Sequence, residues 1–240
     1  MALLEEARRL LNLELTAEQL AAFEVYAAEL VQANQAINLT AITDRQGIQV
    51  RHFLDSLSVL KLLPASVPAG APLRVVDVGS GAGFPGLPLK IVRPELRLTL
   101  VEATGKKADF CRALAQRLGL RDVVVLNQRA EDLGQDPAQR EQYDWALARA
   151  VAELAVLAEY LLPLVKVGGH ALAQKGAGAA DEAQAAAGAI AKLGGRLAHI
   201  EPVALPGLDE HRFLVLLEKV AATPPAYPRR AGMPSKRPLK

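Results

Sequence analysis

The chain has 240 residues, 51% hydrophobic and 22% charged, which is enough to bury a core in one domain with a small extension. A single cysteine, Cys111, excludes an internal disulfide and a multi-cysteine metal site, and His52, His170, His199 and His211 have no ligand spacing, so no metal is expected. The net charge of +2 is unevenly placed: Lys219, Arg229, Arg230, Lys236, Arg237 and Lys240 follow the last acid, Glu218, and leave the preceding body at −4, so a polyanion would meet the tail.

Residues 3–12 and 16–33 are predicted amphipathic helices, with Leu20, Phe23, Ala27, Leu30 and Val31 at three- and four-residue steps. Thr16 and Gln19 form a capping-box pair. This acidic start is not a secretion signal, and no apolar run approaches the roughly 20 residues of a membrane helix, so a cytoplasmic protein without a membrane partner is expected. Residues 34–43 read as a connector. Thr43 and Gln46 then read as a second cap, opening a helix to about Leu63 with Ile48, Phe53, Leu57 and Leu60 on its apolar face. Its polar side holds Arg51, His52 and Asp55, and Arg51 and Asp55, one turn apart, are placed to pair on the surface. Three prolines in 64–72 mark a linker between a helical extension (1–63) and a main domain (73–220), followed by a basic, proline-rich tail (221–240).

From Leu73, predicted strands at 73–78, 97–102, 122–127, 143–149 and 169–174 alternate with helices at about 85–93, 105–118, 151–166 and 180–193. That alternation implies βαβ units and a parallel sheet covered on both faces. Gly168 and Gly169 are expected to stop the fourth helix. Segments 196–204 and 211–219 flank a loop with Pro206 and Gly207 and read as an antiparallel hairpin. A parallel core closed by such a hairpin is the plan of Rossmann-like class I methyltransferases, an α/β fold, whereas nicotinamide folds usually end in a sixth parallel strand.

The first strand leads into Asp77-Val-Gly79-Ser-Gly81-Ala-Gly83-Phe-Pro-Gly86. Gly81, Gly83 and Gly86 fit the dinucleotide pattern GxGxxG, which would suit an NAD-dependent oxidoreductase, although no second substrate domain is evident. Asp77, Gly79, Gly81 and Gly83 fit the DxGxGxG pattern of S-adenosylmethionine (AdoMet) sites. A diphosphate wants bare N–H groups and no anion, whereas the sulfonium and ammonium of AdoMet favour a carboxylate nearby, and this favours AdoMet. Glu102, about twenty residues on, suits ribose hydroxyls in either class. The third strand ends in Ala130-Glu131-Asp132, where a carboxylate can meet an adenine amine. Arg149 ends the fourth strand at the rim of the ligand crevice, placed for a cofactor carboxylate, a nucleic-acid phosphate, or a surface pair with Asp144 or Glu153.

Transfer to pyrimidine carbon-5 needs a cysteine nucleophile, and Cys111 falls inside the helix 105–118, away from the strand ends. Transfer to an exocyclic amine typically uses an Asn/Asp-Pro-Pro-aromatic loop, where this chain has Ala148-Arg149-Ala-Val. Guanine N7 has an in-plane lone pair and no proton, so alignment and exclusion of water suffice.

The segments Asn38–Ile42, Arg51–Ser56, Asp77–Lys90, Arg129–Glu131, Ala148–Val151 and the tail from Tyr227 together resemble the RsmG (GidB) family of bacterial 16S ribosomal RNA guanine-N7 methyltransferases, from about residue 34 to 240. The resemblance implies an AdoMet site formed by Gly79, Phe84, Glu102, Ala103, Thr104, Ala130, Glu131 and Arg149. It also implies an RNA face with Arg51, His52, Lys175 and the tail cations Arg229, Arg230, Lys236 and Arg237, and the small ribosomal subunit as partner. DNA is not expected as a partner, and a monomer is. Five prolines from Pro224 to Pro238 predict an extended tail lying along phosphates. Deleting 229–240 is then expected to weaken RNA binding, flatten its salt dependence and leave AdoMet affinity nearly unchanged. A non-catalytic RNA-binding factor on this fold is the other alternative; with aromatics at 4%, it would read phosphates and shape.

Overall fold

The N-terminal helical pattern folds as α1 (Ala2–Leu11) and α2 (Ala17–Ile37) in the computed structural model, which describes residues 2–65, 72–149, 152–209 and 211–240. Thr16 caps α2 with the reciprocal bonds of a capping box. The helix runs four residues beyond the expected 33 and stops at Asn38, which adopts φ 39°, a left-handed conformation asparagine tolerates. At the next helix Asp44, rather than Thr43, is the N-cap, accepting from the Gly47 N–H at 2.7 Å.

The segment 45–61 is not a uniform helix. It passes from α3 (Arg45–Gly47) through a π-helical stretch (Ile48–Leu54) into α4 (Asp55–Leu57) and a 3₁₀ turn (Ser58–Lys61). A wider turn rotates every following side chain relative to an α-helix. Asp55, Ser56 and Ser58 are therefore buried with Phe53, Leu54 and Leu57, and Asp55 is not the surface partner of Arg51. Of the expected linker, residues 66–71 lie outside the described residues.

The remaining apolar runs form one seven-stranded sheet: β1 (Arg74–Val78), β2 (Arg97–Val101), β3 (Val123–Leu126), β4 (Tyr143–Arg149), β5 (Val165–Lys175), β6 (Gly195–Val203) and β7 (Arg212–Lys219). Its order is β3-β2-β1-β4-β5-β7-β6. The first five strands pair in parallel, and β7 runs antiparallel to both β5 and β6, so the parallel core closed by a terminal hairpin is present. Strand residues alternate between faces. Leu98, Leu100, Leu147 and Leu172 share a core with α5 (Gly86–Val92), α6 (Gly105–Arg117) and Phe23, Tyr26 and Phe53 of the N-terminal helices. Val76, Val101, Ala146 and Ala171 face α7 (Ala130–Gln135), α8 (Leu154–Leu161), α9 (Ala179–Ala185) and α10 (Ala187–Lys192).

Two helix predictions need correction. Helix α8 passes into a 3₁₀ turn at Leu162–Leu164, where Pro163 sits, and β5 already begins at Val165; proline cannot continue the ladder of bonds. Gly168 and Gly169 therefore lie inside β5 rather than ending a helix, and a Cβ on Gly169 would stand 2.7 Å from the Asp144 carbonyl. The alanine-rich stretch 180–193 is broken at Ala186 into α9 and α10.

The tail is not a free extended arm. Arg140 donates to the carbonyls of Tyr227 (2.7 Å) and Thr223 (2.6 Å), and Gln135 donates to that of Pro228 (2.7 Å). Arg229 is clamped on the fully buried Glu159 of α8. A single-turn helix, α11 (Met233–Lys236), follows. Proline rings that resist regular structure can still pack, and the Pro228 ring packs against Gly134 of α7. No helix among the described residues is long and apolar enough to cross a membrane.

Candidate cofactor and acceptor clefts

The loop after β1 is shaped by close approach. At Gly83 (φ 96°) a Cβ would lie 2.4 Å from Leu87 Cδ1 and 2.8 Å from the Tyr26 hydroxyl, so only glycine fits. At Gly81 (φ 58°) a Cβ would meet nothing within 4 Å: its backbone faces open space. Tyr26 holds the loop from the far side, its hydroxyl donating to the Ala82 carbonyl at 2.6 Å. Cys111 also reaches it, with Sγ 3.4 Å from the Gly81 carbonyl. Its helix position therefore lies beneath the loop, contrary to the expectation that it sits away from the strand ends. Burial pushes the thiol up to about 12, which keeps it protonated and non-nucleophilic.

Asp77 is fully buried below the same loop. Its Oδ2 accepts the Gly86 N–H at 2.8 Å, at the start of α5, so an anion already stands where a dinucleotide diphosphate would sit. Its Oδ1 has no hydrogen-bond partner among the described residues, and burial raises the carboxyl to about 7. An orphaned, half-titrated carboxyl under an open glycine fits a cationic ligand. Glu102 accepts the Gly81 N–H on Oε2 (3.0 Å) and the Thr104 N–H on Oε1 (2.7 Å), and each oxygen keeps a second lone pair. The residues suit AdoMet at both its amino-acid and ribose ends.

Beside Gly79, a cleft of about 170 Å³ is lined by Val101, Ala103, Ala130, Glu131 and Tyr160. Glu131 is nearly buried. Its Oε1 accepts the Gly232 N–H of the tail at 2.8 Å.

A second cleft, of about 380 Å³, lies at the ends of β4 and β5 and includes Arg51, His52, Asp55, Arg149, Gln174 and Lys175. Arg149 pairs with Asp55 at 3.0 Å, not with Asp144 or Glu153. It also donates to the Arg51 carbonyl at 3.2 Å, one of the carbonyls in the π-helical stretch. Its guanidinium lies 4.7 Å from the centre of the Phe84 ring, a cation–π distance. Phe84 is sandwiched between His52 (centroids 4.6 Å apart) and Tyr26 (5.2 Å). His52 is buried, with Nε2 2.8 Å from Thr40 Oγ1, and burial, with Arg149 adding to it, lowers its pKa to about 4. It is a neutral ring rather than a cation for phosphates. Burial raises the Asp55 carboxyl, against the pull of Arg149. Lys175 is tied to Glu182 and the Ala152 carbonyl, both at 2.8 Å. Arg51, Arg230, Lys236 and Arg237 are exposed.

The family model "GidB: rRNA small subunit methyltransferase G" matches residues 19–210. A "Ribosomal RNA small subunit methyltransferase G" of Roseiflexus sp. (strain RS-1) is 54% identical over 239 residues, covering 100% of each chain. The chain belongs to this family. A protein of the same description from Dehalococcoides mccartyi (strain CBDB1) is 49% identical, covering 95% of each. GidB-family membership makes the chain an AdoMet-dependent methyltransferase, in keeping with the donor set described above. Among solved structures, a SAM-dependent methyltransferase from Aquifex aeolicus matches with TM-score 0.53 at 16% identity, covering 72% of this chain and 93% of that one. TrmN from Thermus thermophilus matches with TM-score 0.52 at 21% identity, covering 72% and 53%. At these identities the likeness is one of fold.

In this GidB-family chain the fold brings Asp77, Gly79, Gly81, Phe84, Glu102, Glu131 and Arg149 to one edge of the sheet. It withdraws Arg229, Lys175 and His52 from the role of free cations. Residues that sequence reasoning missed are Tyr26, Tyr160, Glu159 and Asp55 in its pairing with Arg149. Tyr26 and Phe84 are 58 positions apart, and no spacing rule links them.

Proposed function

We propose that this chain transfers a methyl group from AdoMet to N7 of a guanine in 16S rRNA of the small ribosomal subunit, without a general base. Asp77 and the loop at Gly79–Gly83 would hold the amino-acid end, Glu102 the ribose, and the cleft at Ala130 and Glu131 the adenine. Bound AdoMet supplies an electrophilic methyl group. The chain's own residues have to orient a base edge and exclude water, because N7 presents a lone pair and no proton.

The observation that carries this reading is the state of the titratable groups around the larger cleft. Asp55 is engaged by Arg149 and Glu182 by Lys175. His52 is neutral with its pKa near 4, too weak a base to deprotonate an amine. Asp77, the acid near 7, lies under the cofactor loop and does not line the larger cleft. A nucleophile that needs no deprotonation matches this set, and a thiol route does not, given the protonated Cys111. Exposed Arg51 at the cleft mouth and Arg230, Lys236 and Arg237 on the tail supply phosphate contacts.

The test is transfer of tritiated methyl from AdoMet to purified small subunits that lack native methylation, beside naked rRNA. Strand scission specific for N7-methylguanine then reads the product. Label in one cleavable guanine is expected. Label that resists this scission would refute the N7 assignment, and no label with AdoMet bound would favour a non-catalytic RNA-binding factor.

A further inference from the structure

The C-terminal segment meets the cleft at Glu131 twice. The Gly232 N–H donates to Glu131 Oε1 at 2.8 Å, and the Tyr160 hydroxyl lies 2.9 Å from Ser235 Oγ. Glu131 and Tyr160 both line that cleft, one from the first turn of α7 and the other from α8. Between these contacts and the body stands an anchor. Arg229 donates through its backbone N–H and side chain to Glu159, the residue before Tyr160, and Glu159 has no exposed surface. The Pro228 ring closes against α7 so tightly that a Cβ on Gly134 would stand 2.7 Å from its Cγ. Helix α7 has six residues, too few to hold its own shape, so its orientation depends on what packs against it.

We propose that residues 223–240 form a strap that positions the adenine end of the cofactor cleft, with Gly232 and Ser235 as positioning residues, so that cofactor affinity depends on the tail. This rests on the adenine assignment of the Glu131 cleft made above. A charge-assisted bond from Gly232 takes one carboxylate oxygen and leaves the group oriented, with lone pairs available to an exocyclic amine. Binding and strap docking are then linked in both directions: cofactor slows exchange of the Gly232 amide, and loss of the strap loosens the cofactor. This reverses the expectation that deleting tail residues leaves AdoMet affinity untouched.

The experiment measures Kd by calorimetry for S-adenosylhomocysteine and for its 6-oxo analogue S-inosylhomocysteine. It uses the full chain, a form lacking 232–240, Gly232→Ala, Glu131→Ala, and the deletion combined with Glu131→Ala. Gly232 has φ 79° with open space around it, so alanine there strains the amide without removing the tail. The deletion is expected to weaken the adenosyl ligand about tenfold, the range of a bond to a charged group. The inosyl ligand should weaken far less, and Glu131→Ala should add nothing once the strap is gone. If the deletion does not fold, Gly232→Ala carries the same comparison, with a smaller loss confined to the adenosyl ligand. Unchanged affinity in the strap variants, with Glu131→Ala still weakening, overturns the strap and leaves the adenine assignment standing. Equal weakening of both ligands, additive with Glu131→Ala, overturns it as general loosening. No effect of Glu131→Ala refutes the adenine assignment, and the strap's role with it.

Discussion

Replacing Arg229 by methionine separates a free basic arm from a docked strap. In the structure Arg229 donates to both oxygens of Glu159 at 2.6–3.2 Å, and Glu159 is completely inaccessible to water. Methionine keeps the apolar stem but leaves a buried carboxylate with only the backbone N–H of residue 229 as partner. Breaking a buried pair from one side costs about 3–5 kcal/mol, and the retained N–H and partial exposure of Arg229 put the cost near about 3 kcal/mol. At roughly 2–4 °C per kcal/mol for a domain of this size, the melting midpoint should fall by about 6–12 °C. Urea titration followed by circular dichroism measures the loss, and Arg229→Met with Glu159→Gln should recover more than half of it, because the stranded charge is gone. A single-variant loss below about 0.5 kcal/mol, the value of a surface pair, would show that the tail does not dock and would refute the reasoning.

The Asp77 carboxyl titrates near about 4 in an unfolded chain and near 7 in the fold. The folded state therefore holds the extra proton between those values, and this group's contribution to the stability of the cofactor-free protein is lost as pH rises from about 4 through 7. A cationic cofactor favours the ionised form, so AdoMet affinity should be flat above pH 7 and fall by up to about tenfold per unit below it; calorimetry across pH 5–8 should show this, and Asp77→Asn should abolish the slope. His52, lowered to about 4 by burial and Arg149, should remain neutral in nitrogen-15 spectra from pH 8 down to 5.5, and a midpoint between 6 and 7 would contradict the stacked, buried ring. Neutralising Arg230, Lys236 and Arg237 together should reduce the slope of log K for RNA against log salt by about 2, at roughly 0.7 per lost single-strand contact; an unchanged slope would remove the tail from the RNA face.

The amino-acid sequence by itself determined the strand–helix alternation, the terminal hairpin, the positions of Asp77, Glu102 and Arg149 at strand ends and those of Gly81 and Gly83 in the loop after the first strand. These depend on period, turn chemistry and spacing within one or two elements, which local residue patterns encode directly. Only the tertiary structure decided what those groups touch. A π-helical turn, which leaves no periodic signature, turned Asp55 inward to Arg149. Pro163 ended α8 early and moved Gly168 into a strand. Composition describes the tail as basic and proline-rich, and that description is the same whether its cations face solvent or Glu159. The choice rests on Glu159, Gln135 and Arg140, between 70 and 94 residues before Arg229, and partners that distant along a chain are specified by packing rather than by any local pattern.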